Sequence, residues 1–133
     1  MKTISEVCIV DTSLIDNILI LAKSREGLLK LFAEEEIRYC YEKKKWNIYL
    51  AARFAAKEAV YKILGARAEI RWNTIIIKHH SSGAPYINLN GSAAVLAREL
   101  QVIEWHLSLT HTDQYAAAFV AAEAQEGGNS PFT

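Results

Sequence analysis

The stretch Arg53-Phe54-Ala55-Ala56-Lys57-Glu58-Ala59-Val60-Tyr61-Lys62 constrains this chain more than any other. It reads as the middle of one long helix, from about Asn47 to Leu64, that stops at Gly65, a natural residue for the position just past a helix end. At helical spacing Glu58 neighbours Phe54, Ala55, Tyr61 and Lys62. Three of those four are apolar or aromatic, so the carboxylate is expected to point into protein. A carboxylate taken out of water must be paired, hydrogen-bonded, protonated or bound to a cation. Two readings stay open from spacing alone: a surface Glu58–Lys62 ion pair beside a buried stripe, or the core of a chemical site.

The rest of the composition narrows the setting. With 133 residues, 51% of them hydrophobic, the chain is long enough for one domain with a real core. Fifteen basic and fifteen acidic residues cancel, so no overall field argues for nucleic acid or a membrane surface. The two cysteines, Cys8 and Cys40, lack metal-ligand spacing. One disulfide is formally available, but two reduced thiols are the simpler expectation. The apolar run Leu14 to Ala22 is broken by Asp16 and Asn17 and followed by no small-residue cleavage pattern, so no signal peptide is read there. No segment reaches the length of a membrane span. The expectation is a soluble, cytoplasmic protein.

The order of elements is legible along the chain. Glu6 to Val10 is a short apolar run, read as a strand ending at Asp11. Ser13 with Asp16 three residues on resembles a capping-box start, with a helix to about Lys23. Gly27 to Lys43 reads as helical in two pieces, with Glu34, Glu35 and Glu36 in a solvated first turn favoured by the helix dipole. After Gly65 the pattern turns to strands: Thr74 to Lys78, a turn at 81–85, and Tyr86 to Leu89. Asn90-Gly91-Ser92 caps a helix from Ala93 to Leu100. In the last two strands Trp105, Leu107 and Leu109 alternate with His106, Ser108 and Thr110, and Tyr115, Ala117, Phe119 and Ala121 form the next alternating set. The fold class is α+β, an antiparallel sheet packed against a long central helix. One domain is expected over residues 1–124, with a polar tail over 125–133.

Asp11 at a strand end and Glu58 in mid-helix, if they converge, make an oxygen-donor site suited to Mg²⁺. Lys57, Lys62, the Lys43–Lys45 run and His111 are then available for phosphates. No phosphate-binding glycine loop, dinucleotide fingerprint or Ser-His-Asp order is present. Each residue also has an ordinary reading: Asp11 as a helix-entry residue, His111 as an exposed loop residue, the lysines as a solvated helix end.

Three blocks, in order, resemble the holo-acyl-carrier-protein synthase family of 4′-phosphopantetheinyl transferases over nearly the whole chain. They are the strand ending in Asp11; Leu50 to Ala59 with Lys62 and Gly65; and His106-Leu107-Ser108-Leu109-Thr110-His111-Thr112 followed by Tyr115 to Ala118. Gly83-Ala84-Pro85-Tyr86 and the stretch Phe32 to Tyr41 agree. The resemblance implies transfer of the phosphopantetheine arm of coenzyme A to a serine of an apo carrier protein, releasing adenosine 3′,5′-bisphosphate. It implies Asp11 and Glu58 as Mg²⁺ ligands, Glu58 as a base and Lys62 as the lysine that steadies the transferring phosphate or the leaving group. Lys44, Lys45, Arg53, Lys57, Gly65 and His111 fall in the implied coenzyme A-contacting set. Arg53 has a second, structural reading, holding the helix through a carboxylate or a carbonyl. Family members usually form trimers with sites shared between subunits, so a homotrimer is implied, with no nucleic acid or membrane partner.

The chain departs from the family pattern in several places. The glycine usual two residues before the metal-holding aspartate is Ile9, an acidic residue after it is Leu14, and the lysine of the usual Gly-Lys-Pro is Ala84. The first helix, basic in the family, offers Asp16, Asn17 and Ile18, with basic residues only from Lys23 and Arg25 onward. Two readings follow: an active transferase for a carrier with a less acidic or more apolar docking helix, and a non-catalytic relative that binds coenzyme A or a carrier protein.

Overall fold

Small residues on one face of one strand set the architecture. In the structure, a computed structural model describing residues 1–22 and 24–125, the last strand, β5 (Tyr115–Ala124), lies between β1 (Lys2–Asp11) and β4 (Val102–His111), antiparallel to both. Its inner face is Ala116, Ala118, Val120, Ala122 and Ala124, all buried. Side chains this short let the long helix α4 (Trp46–Ile63) approach the sheet closely, and α4 answers with Ala51, Ala52, Ala55, Ala56 and Ala59. The set Tyr115, Ala117, Phe119 and Ala121 is therefore the outer face of β5, on which Tyr115 and Phe119 are exposed. In β4 the alternation runs as expected, with Trp105, Leu107 and Leu109 packed on the core and His106, Ser108 and Thr110 exposed.

The flanking elements close the core. After β1 come α1 (Ser13–Ala22), the short α2 (Arg25–Leu28) and α3 (Glu34–Tyr41), so the stretch 27–43 is broken as expected. Ser13 stands inside α1 rather than capping it. The turn into the helix is held by Asp11, whose Oδ1 accepts the Ser13 amide at 2.9 Å. Beyond α4, β2 (Ile75–His79) and β3 (Pro85–Leu89) form a separate hairpin in the register Ile77 opposite Ile87. Then α5 (Gly91–Glu99) leads to β4. Both cysteines are free and buried. Among the described residues no helix is long and apolar enough to cross a membrane. Gln125 is still held through its amide to the Gln101 carbonyl at 3.0 Å. Lys23 and residues 126–133, the bulk of the expected tail, lie outside the described residues.

One expectation about α3 is corrected. Glu34 and Glu35 are solvated, but Glu36 is 1% exposed. It folds back to accept the Ala33 amide at 2.9 Å, half of a capping box, and its other oxygen accepts the Ile77 amide of β2 at 3.0 Å. A carboxylate this deep needs a cation, and the cation comes from α4.

Candidate functional site

The expected site residues carried by α4 sit on three of its faces. On the first, Glu58 is half-buried, its side chain 34% exposed, with Lys62 Nζ at 3.5 Å one turn on. This is the i,i+4 pair that spacing allowed. The Glu58 carboxylate is not buried in the interior. Cys8 of β1 lies beside the pair: burial and then the Glu58 charge push its thiol up, while Lys62 opposes the shift. Cys8 and Glu58 in turn hold Lys62 above the ordinary lysine value. Three residues past Cys8, β1 ends at the exposed Asp11. The Ser13 amide, and then the Ser13 hydroxyl, lower its carboxyl. A solvent-reachable carboxylate and a lysine thus border the β1–α4 seam beside Cys8, while Asp11 lies further along β1, at its exposed end.

The second face carries Arg53. It is five residues from Glu58, which at about 100° per residue puts it about 140° away around the helix. Arg53 is 1% exposed. Its guanidinium stacks on Tyr39 at 4.4 Å and donates through Nη1 to the Tyr49 carbonyl at 3.4 Å and through Nη2 to His79 Nδ1 at 3.0 Å. Because arginine only donates, His79 Nδ1 must be an acceptor and its ring proton sits on Nε2. Burial, then the Arg53 and Lys43 charges, push His79 down to about 4. The Arg53 Nε is buried without a partner. The residue lines a cleft of about 330 Å³ together with Glu35, Tyr39, Lys78, His79, His80 and Tyr86.

From this cleft an aromatic and cationic strip runs to the end of β4. Lys43 Nζ lies 4.7 Å from the Tyr39 ring and 5.7 Å from the Tyr49 ring, and Tyr49 is 6.0 Å from His111. Lys45 pairs with Asp113 at 2.7 Å in the β4–β5 turn, and Lys44 is exposed. The structure therefore brings Arg53, Lys45 and His111 to one end of the molecule. Sequence reasoning missed Tyr39, His79 and Tyr86 as site residues, although Tyr39 and Tyr86 fall in stretches that carry the family resemblance. His111 also borders an apolar depression on the outer sheet face with Thr110, Thr112, Tyr115, Ala117 and Ile9. Ile9, at the position expected for glycine, is 69% exposed there.

The third face corrects the reading of Lys57 as a phosphate ligand. Its ammonium is fully buried, 2.7 Å from Glu36 Oε1, and donates to the carbonyls of Trp72, at 3.2 Å, and Ile75. Burial pushes it down and Glu36 pulls it back up. All its donors are engaged inside the protein, so it has none to offer a ligand. Gly65 lies just past α4 at φ +95°, donating to the Lys62 carbonyl at 3.0 Å while Ala66 donates to the Tyr61 carbonyl at 2.9 Å. This is a Schellman closure that favours glycine.

Comparison with known proteins places this arrangement. Residues 11–120 match the model of the 4′-phosphopantetheinyl transferase superfamily. The chain is 41% identical over 102 residues, 77% of its length and 79% of the relative's, to the holo-[acyl-carrier-protein] synthase of Anaeromyxobacter sp. strain K. It is 42% identical over 94 residues, 71% of its length and 76% of the relative's, to that of Streptomyces avermitilis. In fold it matches the Chronobacterium ammoniagenes ACPS–CoA complex with a TM-score of 0.81 at 21% identity, covering 95% of this chain and all of that one. It also matches the Neisseria meningitidis holo-[acyl-carrier-protein] synthase with a TM-score of 0.79 at 26% identity, covering 90% and 96%. On the family match and these relatives together, the chain belongs to the 4′-phosphopantetheinyl transferase superfamily.

Proposed function

We propose that this protein transfers 4′-phosphopantetheine from coenzyme A to a serine of an apo carrier protein. The observation that carries the reading is the Glu58–Lys62 pair at the solvent edge of α4, beside the strand that ends in Asp11. The serine oxygen bonds to the pantetheine-side phosphorus while the bond from that phosphorus to the bridging oxygen breaks. The serine proton passes to Glu58, and the electron pair leaves with adenosine 3′,5′-bisphosphate. Lys62, on a rigid helix, stands where it can neutralise the phosphate oxygens as charge builds. Asp11 and Glu58 would hold Mg²⁺, which keeps several waters and prefers carboxylate oxygen. When bound, the ion would supply charge neutralisation on the diphosphate.

The nucleotide end is assigned to the strip around Arg53, Lys44, Lys45 and His111. Because Arg53 and Glu58 point to different sides of α4, a complete site is best assembled between subunits, Glu58 from one and the basic strip from its neighbour. The outer sheet face offers a surface for that contact: Val7, Ile9, Tyr115 and Phe119 are exposed apolar side chains on it. This supports self-association, and the assembly proposed is a homotrimer. The exposed part of α1, with Leu14, Asp16, Asn17 and Ile20, suits a carrier whose docking helix is less acidic or more apolar than usual. A cytoplasmic setting is part of this proposal.

The test is intact-mass spectrometry of a panel of apo carrier proteins incubated with the protein, coenzyme A and Mg²⁺. A phosphopantetheine adduct is expected on at least one carrier. It should be lost in Glu58→Ala and formed about a hundredfold more slowly in Lys62→Ala. No adduct across a broad panel with folded protein overturns the transferase reading and favours a relative that only binds coenzyme A or a carrier.

A further inference from the structure

We propose that Glu104, His106 and Glu123 form a divalent transition-metal site, of the kind that takes Zn²⁺, on the outer face of the three-stranded sheet. The three side chains come from facing strands, Glu104 directly opposite Glu123 and His106 opposite Ala121. The ladder leaves register just beyond Glu104, at Ile103. One ligand atom from each residue lies within 4.8 Å of the others, and His106 Nε2 is already 2.8 Å from Glu123 Oε1. Ligands at ordinary zinc distances stand about 3 Å apart, so rotation of two glutamate side chains closes the set with no movement of the strands.

The charge pattern argues separately for a cation. Like charges directly opposite each other across an antiparallel pair are unfavourable, yet Glu104 and Glu123 occupy such a pair. Among the described residues no lysine or arginine pairs with either: Glu104 has no ion pair, and His106 is the sole partner of Glu123. An imidazole among the donors directs the choice of metal. Carboxylates alone suit Mg²⁺ and Ca²⁺, whereas nitrogen brings in Zn²⁺ and its neighbours. This separates the site from Asp11 and Glu58, which offer oxygen only, and the inference does not rest on the proposed transferase activity. Three protein ligands leave at least one position for water or a further group.

Calorimetric titration with Zn²⁺, and with Co²⁺ read by its visible absorption, tests the site in untagged protein carrying Asp11→Ala and Glu58→Ala, so that the oxygen pair contributes nothing. One equivalent per chain is expected, undisturbed by excess Mg²⁺. His106→Gln and Glu123→Gln should each weaken binding by about tenfold or more. Glu104→Gln, at an exposed residue whose side chain makes no hydrogen bond among the described residues, should do the same even if either of the others fails to fold. No uptake by the folded protein, or uptake that the three substitutions leave unchanged, overturns the proposal.

Discussion

Removing the Lys57 ammonium should be the most damaging single change in the described structure outside the apolar core. Lys57→Met keeps length and volume but strips the charge from a position with no solvent contact. Glu36 would keep two backbone donors, the amides of Ala33 and Ile77, and lose its only cation. The carbonyls of Trp72 and Ile75 would lose their donor at the same time. Breaking a buried pair from one side costs about 3–5 kcal/mol. For a chain of this length, each kcal/mol shifts the melting temperature by about 3–4 °C, so the variant should melt about 9–20 °C lower. Glu36→Leu should cost a similar amount. The double variant Glu36→Leu/Lys57→Met removes both charges but leaves four backbone groups without side-chain partners. It should therefore be less stable than wild type, yet more stable than the two losses added together by about 2 kcal/mol or more. Thermal and urea unfolding at one fixed protein concentration measure all four species, which keeps any subunit association constant across the cycle. A loss below about 1 kcal/mol for Lys57→Met, or effects that add within about 0.5 kcal/mol, would refute the reasoning.

His79 gives a pH dependence. Its folded value of about 4 lies below its ordinary 6.5, so between those values the unfolded chain binds the extra proton and stability falls as the solution is acidified from pH 6.5 toward 4. Urea midpoints for wild type and His79→Gln should converge toward the acid end of that window; a slope unchanged by the substitution would count against the assignment. Gly91 has φ +47°, and a Cβ there would sit 2.9 Å from Thr74 Cγ2. Gly91→Ala should cost about 2–4 kcal/mol from backbone strain and overlap together. Adding Thr74→Ser, which removes the offending methyl and keeps the hydroxyl, should restore part of the loss in the same unfolding assay. No recovery would mean that backbone strain alone carries the cost.

How much could be read in advance follows from which signals are local. Strand alternation in β4, the turn before β3 and the end of α4 at Gly65 are decided by residues within a few positions of one another, and they appear where the pattern puts them. The core parity of β5 was harder, because its inner face is alanine and its outer face carries the aromatics. Size then points the wrong way: small residues are inside because α4 comes close. The first turn of α3 was read as a uniformly solvated acidic cluster, since dipole and charge favour that for all three glutamates. What draws Glu36 inward is the Ile77 amide, 41 residues away in sequence.

The same limit explains the reading of Glu58. Its neighbours one turn away are apolar, and that was taken to turn its carboxylate inward. On an ordinary surface helix the inference would hold, because one apolar stripe marks the single buried side. Here α4 is covered by β1 and β5 on one side, α3 and β2 on another, and Phe54 and Tyr61 stack on Trp72 on a third. On a helix buried around most of its circumference, apolar neighbours no longer indicate direction. One residue, or about 100° of rotation, separates Lys57, whose charge is sealed inside and fixes how α3 and β2 dock, from Glu58, whose charge reaches the solvent edge. Had the two been exchanged in register, the helix would bury the carboxylate proposed for catalysis and expose its structural bolt. The adjacency of the two charges therefore couples stability to the site: what holds α4 in rotation is also what aims Glu58 and Lys62 outward.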